Sequence, residues 1–271
     1  MILRVALTLK ELFFLKGNKL MSSFYKGKRT RNIYNPDDSK PFKLSRSKID
    51  RFIECPRCFY LDRRLGVDRP PGFPFNLNSA VDSLLKNEFD AIRIKNAQHP
   101  FLLEKNIDAR PAQHEKLDKW RENFVGIQYH HEETNLIITG AIDDLWQNSK
   151  HEYIVVDYKS TAKKGRIEAL DQGWHAGYKR QMEIYQWLLR KNNLLVSDTG
   201  YFLYANGITD RPSFDARLEF DMTIISYEGH DDWIDGTIEE IYGCLNKDFI
   251  PKSSSNCDYC CYQKAIDSVI F

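Results

Sequence analysis

The sequence predicts an α/β (α+β) fold: a central mixed sheet flanked by helices, with N- and C-terminal segments joined by a four-cysteine metal site. Three observations predict it. Apolar residues recur at helical intervals through residues 45–95, while runs rich in Ile, Val and aromatics fill 124–159. Helix and strand patterns then alternate to residue 245, the order of a sheet with helices packed against it. Two C-x₂-C pairs stand some 200 residues apart, near opposite ends of the chain.

The 271 residues are 42% hydrophobic and 28% charged, and they include 14 Tyr and 16 Phe. That composition can bury one large core and excludes a disordered chain. No run of 18 or more apolar residues occurs, so no membrane span is expected. The net charge of +1 hides an uneven distribution: residues 1–69 carry 17 Lys/Arg against 7 Asp/Glu, and the remainder carries the compensating acidic excess. A basic third joined to an acidic remainder points to a partner that is anionic in one place and cationic in another, such as a polyphosphate with metal ions.

The elements follow in order. Residues 1–43 are expected to be an extension, poorly ordered, and 44–271 one domain. The first 20 residues resemble a signal peptide superficially, but Arg4, Lys10, Glu11 and Lys16 interrupt the apolar stretch and no small-residue cleavage site follows. They read as a short amphipathic helix or an unstructured extension, with Met21 an alternative start. A cytoplasmic, reducing compartment is expected, where six cysteines argue for metal binding or chemistry rather than disulfides. Residues 45–65 are a helix capped by Ser45 or Ser47, with Ile49, Phe52, Ile53 and Phe59 on its apolar face. Gly66 and the Pro-rich run 69–74 break the chain before a second helix, Asn76 to Lys95. A short polar helix is expected over 113–122.

Strands are expected at Phe124–Tyr129, Leu136–Trp146 and Tyr153–Lys159, separated by the turn signals 133–135 and 148–150, which imply antiparallel hairpins. A long helix, Gln172 to Asn192, precedes a strand at Tyr201–Ala205, a turn at Asn206-Gly207 and an edge strand within Phe214–Tyr227. Asp231–Leu245 is the last helix, and a Ser-rich loop leads into the cysteine-rich end.

Two strand ends carry charge where apolar residues would suit a core. Asp143 ends one run and Val155-Val156-Asp157-Tyr158-Lys159 ends the next. Asp157 and Lys159 share a strand face, and Asp143 on the neighbouring strand can lie beside them. Two carboxylates can hold Mg²⁺ or Mn²⁺, and a lysine can stabilise developing negative charge, so the set suits metal-assisted phosphodiester hydrolysis. An Asp–Lys salt bridge at a sheet end is the plainer alternative. On the following helix Gln181 and Tyr185 lie four apart, on one face with Trp174, Tyr178 and Leu188, flanked by Lys179 and Arg180. Gln181 occupies a stripe where a core helix would prefer Leu. Arg46, Lys48 and Arg51, with Arg57, Arg63 and Arg64, are candidates for phosphate contact. His114, His130 and His131 read as surface residues, and Trp146 and Trp233 as core. Cys55, Cys58, Cys257 and Cys260 are expected to form one site, which by spacing alone is zinc or iron–sulfur. Cys244 reads as a packing residue and Cys261 as a spare ligand.

The series Gly140…Asp143, Val155-Val156-Asp157-Tyr158-Lys159 and Gln181-x-x-x-Tyr185 resembles the RecB-like branch of the PD-(D/E)XK nuclease superfamily, which includes AddB-type and CRISPR-associated iron–sulfur exonucleases. The resemblance runs from about residue 44 to 265. It implies a restriction-endonuclease-like core and a DNA nuclease acting on single strands or ends. Asp143, Asp157 and the Tyr158 carbonyl would be Mg²⁺/Mn²⁺ ligands, Lys159 the catalytic lysine, and Gln181 and Tyr185 substrate-side residues. Asp82 stands where many relatives carry a metal-binding His. The resemblance also favours a [4Fe–4S] cluster, although Ile266 occupies the place of the expected last cysteine. A non-catalytic DNA-binding adaptor is the rival reading. No G-x-x-x-x-G-K-[ST] motif is present, so a helicase or other motor of a repair or defence assembly would be a separate protein.

Overall fold

The computed structural model describes residues 27–72 and 75–270. The expected helix at 1–20 lies outside the described residues, as does the Trp174 side chain. Of the expected extension, residues 27–43 are tied to the domain: the Tyr34 ring is buried and its N–H donates to the Arg63 carbonyl at 2.7 Å. Strand β1, Phe42–Ser45, was not foreseen. It pairs parallel with Leu136–Gly140.

The helix expected over 45–65 is two, α1 (Arg46–Glu54) and α2 (Pro56–Arg63). Pro56 has no N–H to continue α1 and forces Cys55 into an extended conformation (φ −162°, ψ 103°), so the chain turns there and restarts with proline at the first helical position. Helix α3, Asn76–Ile94, follows as expected. A short helix α4 (Pro100–Glu104) and a two-residue strand β2 (Arg110–Pro111) carried no clear sequence signal. Helix α5 is confined to Leu117–Arg121.

The run Leu136–Trp146 is not one strand. β3 (Ile127–His131) and β4 (Leu136–Gly140) form an antiparallel hairpin that joins β1 in a three-stranded sheet. β5 (Asp144–Gln147) pairs antiparallel with β6 (Tyr153–Thr161) in a five-stranded sheet. The single expected sheet is therefore two. The chain crosses between them at 141–143, just after Gly140, where an added Cβ would sit 2.6 Å from the Tyr185 ring. The bend lets a helix lie directly on the crossing point, and only glycine leaves that room.

After β6 come helix α6 (Ala176–Lys191), β7 (Thr199–Gly207), β8 (Phe220–Glu228), α7 (Ile234–Leu245) and α8 (Asp258–Ile270). The five-stranded order is β2-β5-β6-β7-β8, with β6 and β7 parallel and β8 at the edge. Asn206-Gly207 is not a turn but the end of β7. The Asn206 side chain accepts from the Lys163 N–H and donates to the carbonyls of Lys163 and Gly165, fastening the loop after β6 instead of reversing its own strand. Helix α8 was not foreseen in the cysteine-rich tail.

Alternation along β6 sorts its residues between two cores. Ile154, Val156 and Tyr158 face α3 with Phe89 and Trp146, whereas Val155 joins the α6 side with Met182, Ile184, Leu188 and Phe202. Asp157 and Lys159 continue the α6-facing row. The sheet thus sits between α3 and α6, and the charged pair lies within its central strand, under α6. Among the described residues no helix is long and apolar enough to cross a membrane.

Candidate functional site

Asp157 is fully buried in the middle of β6, which runs two residues beyond the expected end at Lys159 to Thr161. Its Oδ1 accepts from Gln181 Nε2 at 2.7 Å, and Gln181 also donates to the Tyr185 hydroxyl at 3.1 Å. The second oxygen, Oδ2, accepts no hydrogen bond of ordinary geometry and lies against the Lys159 ammonium. Burial alone would lower the Lys159 pKa, but the Asp157 and Asp143 carboxylates hold it above its ordinary value. The ammonium also stands 4.6 Å from the Tyr178 ring centroid.

Asp143 approaches from the crossing between the two sheets. Its Oδ2 accepts from the Tyr158 N–H at 2.8 Å, which fastens it to β6 beside Asp157. Burial and the neighbouring Asp157 charge push its pKa up to about 7. Asp82, one helix away on α3, pairs with Lys86 at 2.9 Å, and the same ammonium lies 3.9 Å from Asp143 Oδ1. Lys86 was missed in the sequence because it sits at an exposed-looking helical position. Its i,i+4 spacing from Asp82 was the available signal. A cleft of about 430 Å³ opens here, lined by Asp82, Asp143, Tyr158, Lys159 and Tyr178, with Asn78 at its rim.

The carboxylates therefore converge as expected, and each is met by an ammonium. Three carboxylates, Asp82, Asp143 and Asp157, share only the Lys86 and Lys159 ammonium groups, and the Asp143 carboxyl is pushed up by burial and by its neighbour, so these hard oxygens carry more negative charge than their two lysines balance. That fits a hard divalent cation such as Mg²⁺ or Mn²⁺.

Asp144, adjacent to Asp143, points the other way. It is fully buried and binds Arg93, Arg121 (2.6 Å), the Tyr158 hydroxyl (2.7 Å) and Trp146 Nε1 (3.2 Å). It knits α3 and α5 to the sheet.

The basic candidates divide. Arg46 at the start of α1 lies 6.0 Å from the Tyr185 ring centroid, and it shares Asp50 with Arg180. Lys179 lies 5.6 Å from the Tyr227 ring centroid. Lys48 and Arg51 instead turn toward Asp62, which is fully buried and ringed by Arg29 (2.6 Å), Lys48 (2.8 Å), Arg51 (3.2 Å) and Arg63 (2.8 Å). Lys48 and Arg51 also reach Asp68. Much of the N-terminal positive charge serves this internal carboxylate. Among the histidines, His131 is buried and bonded to Thr134 rather than on the surface, and His114 stacks on Trp120.

The two C-x₂-C pairs meet. Cys55 and Cys58 begin α2, Cys257 and Cys260 begin α8, and all four are buried with their sulfurs within 4.8 Å of one another. Cys58 lies 3.6 Å from both Cys257 and Cys260, sulfur to sulfur, and Cys55 lies 3.9 Å from Cys260. Arg69 Nη2 donates to Cys257 Sγ at 3.6 Å while its other arm holds Glu54 at 2.7 Å. Burial alone would raise the Cys55 thiol, but backbone N–H groups of Cys58 and Ser254 bring its pKa down to about 7. Cys261 is exposed and bonds the Ser255 carbonyl, and Cys244 packs in the main core.

No curated protein matches the chain. Among solved structures, the crystal structure of SSO0001 is similar at 16% identity over 88% of both chains, with a TM-score of 0.37. A family model for the PD-(D/E)XK nuclease superfamily matches residues 43–265, from β1 through the cysteine-rich helix and across the whole acidic–lysine site. The chain belongs to the PD-(D/E)XK nuclease superfamily.

Proposed function

We propose that this chain is a Mg²⁺- or Mn²⁺-dependent deoxyribonuclease of the RecB-like branch, hydrolysing phosphodiester bonds in single-stranded DNA or at DNA ends. The observation that carries the reading is the Asp157–Lys159 pair, with Gln181 on one oxygen of Asp157 and the other oxygen turned to the ammonium. A divalent cation held by Asp143, Asp157 and the Tyr158 carbonyl would polarise the phosphodiester and lower the pKa of a bound water. Asp82 would add a third carboxylate at the cleft.

The chain's own residues supply the rest. Gln181 holds the Asp157 carboxylate in one orientation, and Tyr185 holds Gln181. Lys159, kept protonated by its two carboxylate neighbours, places an ammonium where negative charge develops on the phosphorus oxygens. Arg46 on α1, and Lys179 and Arg180 on α6, would contact flanking phosphates, Arg46 and Arg180 by exchanging their shared partner Asp50 for the phosphate. A thiol-rich site and the lack of a helicase motif suit a cytoplasmic enzyme that works with a separate motor or defence subunit.

The test is digestion of end-labelled single-stranded and duplex DNA with Mg²⁺ or Mn²⁺. Wild type should cut, and Asp157→Asn and Lys159→Met should each cut at least about 100-fold more slowly while remaining folded. Equal activity in wild type and both variants would sink the reading. Tight DNA binding without cutting under either ion would favour the adaptor.

A further inference from the structure

We propose that Cys55, Cys58, Cys257 and Cys260 hold a single Zn²⁺ in tetrahedral coordination, and not the iron–sulfur cluster that resemblance to the RecB-like branch implies. The spacing of the sulfurs decides this. A zinc ion at about 2.3 Å from four thiolates puts the sulfurs about 3.8 Å apart on every edge of the tetrahedron. Three of the six edges here, at 3.6, 3.6 and 3.9 Å, bracket that length, and no pair exceeds 4.8 Å. In a [4Fe–4S] cubane each cysteine binds a different iron, and the inorganic core spreads the thiolates to roughly 6 Å. In a [2Fe–2S] cluster the two pairs on opposite irons are spread as widely. The present cage has room for one ion and none for bridging sulfide.

The local architecture gives the same answer. Both halves are built alike: a cysteine just before a helix and a second at its third residue, Cys55/Cys58 on α2 and Cys257/Cys260 on α8. In each, the first turn of helix brings two thiolates to one side, so each half is a two-ligand knuckle. The ligands are thus shared two and two between the ends of the chain. Ile266 lies further along α8, outside the group of four sulfurs, so a trio of C-terminal ligands is not formed. Opening the cage to cubane size would push α8 away from α2 and break the Arg69 contacts to Cys257 and to the Tyr259 ring at 4.6 Å.

The inference stands apart from the nuclease reading, because metal content reports on it with no substrate present. The experiment purifies the full chain anaerobically from cells supplied with both iron and zinc, then measures zinc, iron and acid-labile sulfide per chain together with the visible spectrum. One zinc per chain is expected, with no sulfide and no visible absorption. Incubation with ferrous iron and sulfide should leave the protein colourless, and exchange with Co²⁺ should produce the intense d–d bands of a tetrahedral thiolate site. Cys261→Ser should retain all of the zinc, and Cys257→Ser should lose at least nine-tenths of it. If Cys257→Ser does not fold, the wild-type and Cys261→Ser measurements still decide. Several irons per chain with matching sulfide, a single iron without sulfide, a folded chain that retains no metal, or loss of zinc in Cys261→Ser would each overturn the assignment.

Discussion

Gln181 reaches across the helix–sheet interface to Asp157 and donates to its Oδ1 at 2.7 Å, so the two oxygens of that carboxylate face different partners. The glutamine interrupts the apolar stripe of α6 at the position that covers the middle of β6. An amide there satisfies one oxygen and leaves the charge of the carboxylate to Lys159 on the other.

It follows that Gln181→Met should leave the fold intact but let Asp157 rotate. Steady-state cleavage should fall about 10- to 100-fold, with the Mn²⁺ concentration for half-maximal rate rising in parallel. Titration of Mn²⁺ against activity for wild type and variant checks this; an unchanged metal dependence would show that Gln181 only packs.

Asp143 and Asp144 are neighbours that face opposite ways, one toward the cleft and one toward Arg93 and Arg121. Asp144→Ala would leave the Tyr158 hydroxyl and Trp146 Nε1 unpaired and leave Arg93 and Arg121 only Asp90 as a carboxylate partner, and should cost about 3–5 kcal/mol in urea denaturation. Asp143→Asn keeps the shape and removes the charge, and near pH 4, where Asp143 itself still carries its proton, should alter stability by about 1 kcal/mol or less, while abolishing Mn²⁺ binding measured by calorimetry at neutral pH. Reversed sensitivities would mean the assignments are exchanged.

The raised Asp143 pKa gives a pH dependence to the metal-free protein. A carboxyl whose folded pKa is near 7 and whose unfolded pKa is near 4 keeps its proton longer in the folded state. Stability of the metal-free fold therefore declines as pH rises from about 4 to about 7, and Asp143→Asn should remove that slope. Denaturation midpoints across this window, with a chelator present, make the comparison. Because the cation must displace the same proton, Mn²⁺ affinity should drop as pH falls below about 7.

Arg46 and Lys48 are two residues apart on α1 and should separate cleanly. Arg46→Ala should weaken single-stranded DNA binding and reduce the dependence of log affinity on log salt by about 0.7, the loss of one phosphate contact. Lys48→Ala should leave that slope unchanged and instead cost about 1–2 kcal/mol of stability, because Asp62 loses a buried charged partner. Fluorescence anisotropy over a salt series, paired with thermal melts, reads both.

Local order in the sequence carried much of the fold. Helical spacing placed α1, α3, α6 and α7, and the β-branched runs with their turn signals placed the β3–β4 and β5–β6 hairpins. The strand period alone put Asp157 and Lys159 on one face, and the i,i+4 rule put Gln181 with Tyr185. What misled was context that only contacts supply. Pro56 divided the first helix, and Asn206-Gly207 continued a strand because its amide had a loop to hold. The run from Leu136 to Trp146 served two sheets, since nothing in its pattern marks a change of partner.

The sequence by itself determined which chemistry could be assembled: two carboxylates, a lysine and an amide at fixed periods, and four thiols in two knuckles. Those are short-range properties of helix and strand geometry, and they hold wherever the elements end up. The tertiary structure decided which charges remain for function. It turned Asp144 and Asp62 inward and consumed Lys48, Arg51, Arg93 and Arg121 as their partners, because a buried carboxylate must be paired. It also drew Cys55 and Cys58 to Cys257 and Cys260 until all four sulfurs stood within 4.8 Å of one another, a distance set by packing between elements some 200 residues apart.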